Sequence, residues 1–374
     1  MKITVNRLAL WQAAKDASLA AKPDLRGILL EIHGRELWLT GISGCGRIRR
    51  RIQDVKIEEE GSAVLPRVGV EILASLPGDT VSVSSDTSTI TLDAGKSLFC
   101  LAAEPCKAYK AGGYPLPANM IRIAGKNLRT MMQSVLTATN DSGEDAALGC
   151  IRLTCTPEYT EASAIDGRKM AVSQIPNGAD GDMEVSLHNR PLQALLRLIR
   201  PKDELYFGTA GGYAVFVGQD LLLHILLSHA DGPTIDQLLA RYTPCYRASL
   251  DARRLQDAVM AVTACLTPED DSCIRIELAE GSALLSAQGS SSASKDTVEA
   301  AEVVCTEGDG YYYNPRYLTD CLRALSGEID LALDKTGVML LTGGYNRYLI
   351  APRGPARERA QAKSRTAKKQ PKAA

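Results

Sequence analysis

Arg67, Arg190 and Arg316 each stand six residues before a leucine (Leu73, Leu196, Leu322) in a stretch whose apolar residues recur at helical spacing. In the second stretch Leu192, Leu195, Leu196 and Ile199 form one stripe, and Arg190, Gln193, Arg197 and Arg200 fall opposite. In the third, Leu318, Cys321, Leu322 and Leu325 form the stripe, with Arg316 and Arg323 opposite. The first supplies Arg67, although Ala74 stands where the later arginine would be. A single arginine face on a helix is ordinarily just solvated. Recurrence in register points instead to a basic surface offered to a polyanion, and duplex DNA is the extended polyanion whose phosphates such residues hold without reading sequence.

Groups that would do covalent chemistry are not arranged for it. There is no phosphate-binding glycine loop, no dinucleotide fingerprint and no His/Cys/Asp cluster at metal-ligand spacing, so no cofactor or metal is expected. His33, His188, His224 and His229 read as loop or surface residues. Glu269, Asp270 and Asp271 could attract a cation but read more simply as a solvated loop. The ten cysteines form no CxxC pair and are expected mostly as small buried residues in a reducing, cytoplasmic setting, since no signal peptide precedes the strand-like Lys2, Ile3, Thr4 and Val5. No apolar run reaches the ~18 residues of a membrane span. A multi-lobed enzyme acting on a phosphorylated substrate remains the rival class, with a non-catalytic binding protein preferred.

The helices that must carry these arginines belong to a repeat of about 120 to 127 residues, a whole small domain. Each copy opens with a strand (Ile3 to Val5, Ile121 to Ile123, Tyr246 to Leu250) and a helix beginning near Leu8, Leu128 or Leu255. A hairpin follows, then the arginine helix, ended by Pro77-Gly78, Pro201 or Gly327, then a closing hairpin. The expected class is α+β: three tandem similar domains (1–118, 119–244, 245–354), each with two helices on one face of antiparallel sheets. Residues 355–374 carry seven Lys or Arg against Glu358 and read as a disordered basic tail; its charge of about +6 offsets a body of about −7 in a chain of net charge −1.

Six helices about 10 Å wide enclose only about 9 Å in a ring, whereas twelve enclose roughly 28 Å. With a major groove alone about 12 Å wide, two chains in a closed head-to-tail dimer are needed to pass a duplex.

Residues 1 to 354 resemble the bacterial sliding clamp, the beta subunit of DNA polymerase III. The likeness rests on the opening Met1 to Val5 with Leu8, on Ile28 to Gly41, Ala164 to Val172, His229 to Ile235, Tyr313 to Leu325 and Tyr348 to Pro352. It implies a non-catalytic homodimeric ring of six similar domains, with helices lining the channel, loaded by a separate ATP-dependent loader and tethering polymerase to DNA. By resemblance, Lys22, Arg67, Arg190 and Arg197 contact DNA, joined by Arg316 and Arg323 from the helix reading. Phe99 and Leu101 of one chain would meet Cys265 and Leu266 of the other. A groove for short partner peptides would involve Leu148, Ile165, Gly167, Arg168, Met170, Ile235, Leu239, Leu349, Ile350, Ala351, Pro352 and Arg353. The family's His-Arg-Leu is here Arg168-Lys169-Met170, a groove Pro and Arg are Ile235 and Leu239, and aromatics near DNA are Ala146 and Ala147. These departures leave partner preference open, and with it the alternative of a protein-binding scaffold that no longer encircles DNA.

Overall fold

The computed structural model describes residues 1–20, 27–110, 113–140, 146–176, 179–229, 233–267, 273–304 and 310–353. Along these residues one order of elements recurs three times: strand, helix, strands, helix, strands. The paired long helices are α1 (Arg7–Ser18) and α2 (Arg67–Ser75), α3 (Gly125–Val135) and α4 (Asn189–Leu198), and α5 (Ala252–Thr263) and α6 (Pro315–Leu322).

The entry into each first helix follows from its pattern. Val5, Ile123 and Leu250 are buried strand residues, and five positions on, Leu10, Leu128 and Leu255 are buried in the helix. Leu10, rather than Leu8, is thus the counterpart of Leu128 and Leu255; Leu8 is 52% exposed. Asn6 caps α1 by accepting from the Ala9 N–H, and Asp251 caps α5 by accepting from the Arg254 N–H. Two first helices also terminate their partners. Arg7 donates to the carbonyls of Leu73 and Gly78, and Arg129 donates to those of Leu196 and Ile199. A guanidinium there satisfies orphan C-terminal carbonyls and the negative end of the helix dipole.

The chain packs as two compact units, residues 1–129, 153–160 and 176–229 in one, 130–152, 161–175 and the remainder in the other. The middle repeat is therefore divided between them. In the first unit Lys2–Asn6 lies between Val55–Glu59 and Thr80–Ser85, and the sheet continues through Thr89–Asp93 to Leu98–Ala102. A second sheet runs antiparallel from Ser62–Leu65 through Ile28–His33, Glu36–Ile42 and Gly46–Ile52. It goes on through Leu221–Ser228, Tyr213–Val217 and Glu204–Ala210 to Ile121–Ala124, so strands of the first and second repeats share one sheet.

In the second unit, Ala301–Val304, Pro244–Asp251, Glu328–Asp334, Met339–Gly343, Asn346–Ile350 and Lys169–Pro176 form a comparable antiparallel run. A smaller sheet orders Ala293–Glu299, Ser282–Gln288, Ile274–Ala279 and Tyr311–Tyr313. Pro244, near which the second repeat was expected to give way to the third, is the first residue of a strand.

Two expectations are corrected by burial. His224 is fully buried in Leu221–Ser228, because the flanking leucines and isoleucine pull that strand into a sheet interior. Of the nine described cysteines only Cys150, Cys155, Cys273 and Cys321 are buried, and Cys100 is exposed. Burial pushes the Cys155 thiol up to about 11 and that of Cys321 up to about 12, so neither is a ready nucleophile.

Candidate nucleic-acid and peptide surfaces

Arg67 is the first residue of α2, Arg190 the second of α4 and Arg316 the second of α6. All three are exposed, and no acidic residue occupies the first turn of any of these helices. A cation at the positive end of a helix dipole is disfavoured, so the three positions gain little from their own helices. An anion brought from outside would be held by both the arginine and the helix end. Arg67 makes an i,i+4 pair with Glu71 at 3.5 Å, and Arg323 approaches Asp320 at 3.8 Å. Both arginines are about two-thirds exposed, so these pairs contribute at most a few tenths of a kcal/mol and leave the charge usable.

Arg197 lies in a cavity of about 950 Å³ with Arg50, Arg200, Lys202, Asp16, Asp203 and Asp220 around it. Arg50 Nε stands 3.2 Å from Asp16, whose carboxyl burial pushes above its ordinary range against the opposing pull of Arg50. Exposed bases also occur on first helices, at Lys15, Lys126 and Arg253, where the sequence reading followed only second helices. Lys22, Glu269, Asp270, Asp271 and residues 355–374 lie outside the described residues, and of the two alanines replacing aromatics, Ala147 is half-buried.

The groove residues gather within the second unit. Lys169–Pro176 pairs with Asn346–Ile350 so that Met170 opposes Leu349. Met170, Val172, Leu349 and Ile235 form a buried cluster, flanked by half-buried Ile165, Leu238, Leu239, Tyr242, Val338 and Leu340. Ile235 and Leu239 are held by a short helix, Ile235–Leu239, closed by a capping box: Gln237 N–H donates to Thr234 Oγ1 and Thr234 N–H to Gln237 Oε1. Ile350 is fully buried but does not join the cluster, since alternation along the strand turns it to the face opposite Leu349.

The rim turns sharply at Gly167, where φ is +84°, a conformation glycine adopts without a Cβ penalty. Asp166 secures the turn by accepting from the Arg168 and Lys169 N–H groups at 2.8 and 2.6 Å. Leu148 is half-buried, its Cδ1 3.9 Å from where a Gly167 Cβ would stand. The Arg168 carbonyl accepts from Ala351 N–H, and Arg353 N–H donates to the Tyr312 carbonyl, which fixes the half-buried Ala351, Pro352 and Arg353 beside this rim. Tyr317 is half-buried here, its hydroxyl pushed up chiefly by burial and by Asp166, with Arg168 and Arg353 opposing.

Lys169 carried no expectation of its own. It is fully buried, with Nζ 3.3 Å from Asp320 and 5.0 Å from the Tyr317 ring centroid. A sequence reader sees only the second of two basic residues in a turn; the partner that neutralises it lies 151 positions away.

The residues expected at a chain–chain contact lie on an edge strand or beside one. Leu98–Ala102 is the edge strand of its sheet, with Leu98 65% and Phe99 37% exposed and Leu101 half-buried. Cys265 and Leu266 follow α5 and are half-buried; Ser292 donates to the Cys265 carbonyl, and Cys265 Sγ lies 3.1 Å from Ser294 Oγ on the edge strand Ala293–Glu299. Exposed apolar side chains on an unpaired edge are a template for adding another strand.

No protein-family model matches the chain. It is 25% identical over 353 residues to the beta sliding clamp of Streptomyces coelicolor, covering 88% of this chain and 90% of that one. Among solved structures, the DNA polymerase III beta subunit of Pseudomonas aeruginosa superposes with a TM-score of 0.85 at 19% identity, over 94% of this chain and all of that one. The DNA polymerase sliding clamp of Bacillus subtilis does so with a TM-score of 0.85 at 18% identity, over 95% and 99%. The fold is the DNA clamp fold.

Proposed function

As a divergent homologue of the bacterial beta sliding clamps, the chain, we propose, is a DNA sliding clamp that encircles duplex DNA as a head-to-tail homodimer and tethers polymerase for processive replication. The observation that carries this reading is the exposed arginine in the first turn of the second helix of every repeat. Three such helices per chain, with their three partners, give twelve in a dimer, enough for a channel that admits a duplex. Arg67, Arg190, Arg197, Arg316 and Arg323 then meet phosphates, which confers affinity without sequence preference and permits sliding. The ring would close where Phe99 and Leu101 on one edge strand meet Cys265 and Leu266 beside the edge strand of a second copy.

The chain performs no catalysis in this role; its second unit serves as a landing site. The cluster of Met170, Ile235 and Leu349 takes apolar anchors of a short peptide from the polymerase catalytic subunit or the clamp loader, and Arg168 and Arg353 face its polar groups.

The test is topological. Purified full-length chain should have the solution mass of two copies. With the clamp loader of the same organism and ATP, it should remain on closed circular DNA and fall off when the circle is cut. A monomer at micromolar concentration that shows no loader-dependent retention would overturn the proposal and favour a scaffold.

A further inference from the structure

Beside the groove, the second unit holds a cavity of about 530 Å³ that shares two walls with it, Tyr242 and Leu340. The sheet explains the continuity. Val304 opposes Arg247, Arg247 opposes Ala332, Ala332 opposes Leu340, Leu340 opposes Leu349, and Leu349 opposes Met170. Directly opposed residues of antiparallel strands share a face, so one cross-strand row runs from the groove cluster to exposed Val304.

Two features set this cavity apart from an ordinary sheet face. Glu302, which lines it, has φ +51° and is the one described non-glycine residue with positive φ. It sits on the strand that meets an irregularity in register between Arg247 and Ser249. Such a bulge re-aims side chains, and a strained residue of this kind costs about 1 kcal/mol or more, which the surrounding structure has to offset. Second, the side chains of Arg247, Glu302 and Asp330 all line the cavity, and none makes an ion pair or hydrogen bond among the described residues. Neighbouring Glu328, which accepts from Ser249 Oγ at 2.6 Å, adds further negative charge.

We propose that this cavity extends the peptide groove and receives the flanking segment of the partner peptide, an extended stretch bearing one apolar and one basic side chain. The apolar side chain packs on Ala332 and Leu340, and the basic one is drawn by Glu302 and Asp330, which outnumber Arg247. The inference rests on the reading of the groove as a peptide site, and Tyr242 is the wall over which the peptide passes.

The probes are the shortest fragment of the same organism's DNA polymerase III catalytic subunit that binds the chain, and that fragment lengthened at either end by Gly-Gly-Leu-Lys. Fluorescence anisotropy on the full chain should show one lengthened peptide binding about tenfold more tightly than the short one. Glu302→Gln with Asp330→Asn should abolish that gain and leave the short peptide's affinity unchanged, which also shows that the variant is folded. Exchanging the added Lys for Glu should remove the gain on the native chain. Equal affinity for short and both lengthened peptides overturns the extension while leaving the groove intact. Failure of every fragment of the subunit to bind overturns both. A gain seen only after deletion of residues 355–374 also overturns the proposal, since it assigns the cavity to the chain's own tail.

Discussion

Among the described residues, strands of different repeats meet side by side at Gly46–Ile52 with Leu221–Ser228 and at Lys169–Pro176 with Asn346–Ile350, and the two junctions are built from opposite materials. In the first unit Gly46–Ile52 lies against Leu221–Ser228, with Gly46 so close to the His224 carbonyl that a Cβ would stand 2.5 Å from it. Its sequence alternates so that Arg47, Arg49 and Arg51 share one face. Arg49 stacks over Tyr114 at 3.8 Å and Trp38 at 4.6 Å, Arg47 over Tyr213 at 5.4 Å, and Arg51 pairs with Glu36 and Asp220. In the second unit Lys169–Pro176 lies against Asn346–Ile350, and the face over that seam is Met170, Val172 and Leu349 under half-buried apolar side chains. Charges stacked on aromatic rings and largely buried beside their partners are poorly placed to meet a ligand. An apolar cluster roofed only by half-buried side chains gains by further burial, at roughly 25 cal/mol per Å². One junction is closed and the other is prepared for company, although the backbone arrangement is the same.

The sharpest way to break the contrast is to remove the centre of the closed junction. Arg49 and Glu31 are each nine-tenths buried and 3.7 Å apart, with Arg49 Nε donating to Thr40 Oγ1 at 3.2 Å. Arg49→Met leaves the Glu31 carboxylate in a poor dielectric, and a broken buried pair costs about 3 kcal/mol or more. Urea denaturation should show that loss, while affinity for the groove peptide measured below the unfolding transition should not change. The same experiment on the open junction should give a smaller stability loss and a large functional one. Met170→Ala removes most of a buried side chain at a site able to relax toward the groove, which points to about 2 kcal/mol, near the low end for such truncations. Peptide affinity should fall at least tenfold. If Arg49→Met weakened the peptide as much as Met170→Ala did, the division between a closed and an open junction would be wrong.

How much of this could be read beforehand depends on which interactions are local. The order of elements was legible because periodicity of 3.6 or 2 is written within a dozen residues, as in Leu192 to Ile199 or Tyr213 to Val217. The strand Thr80–Ser85 was missed because only two of its residues are apolar, Val81 and Val83, too few to establish a period, although both are buried. Clustering of the groove residues Met170, Ile235 and Leu349 came from likeness to a family, and the structure gathers them on one face. Neither Lys169 nor the arginine ladder was legible. A basic residue on a strand ordinarily marks solvent, and only pairing across the chain, Arg51 to Asp220 or Lys169 to Asp320, shows that these residues face inward.

A finer test separates the groove from the stability of its unit. Thr234→Ala uncaps the short helix that presents Ile235 and Leu239, at a cost near 1 kcal/mol. That helix lies on the groove rather than within a continuous sheet, so the loss should appear mainly as weaker peptide binding, about three- to fivefold, with little change in the global transition.

The smallest effect returns to the closed junction and concerns pH. His224 is held below its ordinary range chiefly by burial, with Arg47 and Arg49 lowering it further and the Pro115 carbonyl, 3.0 Å from Nε2, opposing them. Glu31 is a buried carboxylate near Arg49, and the Tyr114 and Tyr213 rings flank the imidazole. Because the folded histidine resists protonation, the unfolded chain binds the proton first as pH falls below the ordinary histidine value near 6.5. The contribution of this residue is therefore complete above that pH and is lost progressively on acidification toward the lower folded value. Between pH 7 and pH 5 the native chain should lose more stability than His224→Asn, in which no proton can be taken up at this position. Parallel stability curves for the two would mean that burial and the neighbouring arginines together do not hold the imidazole neutral, and the junction would then be less closed than the geometry indicates.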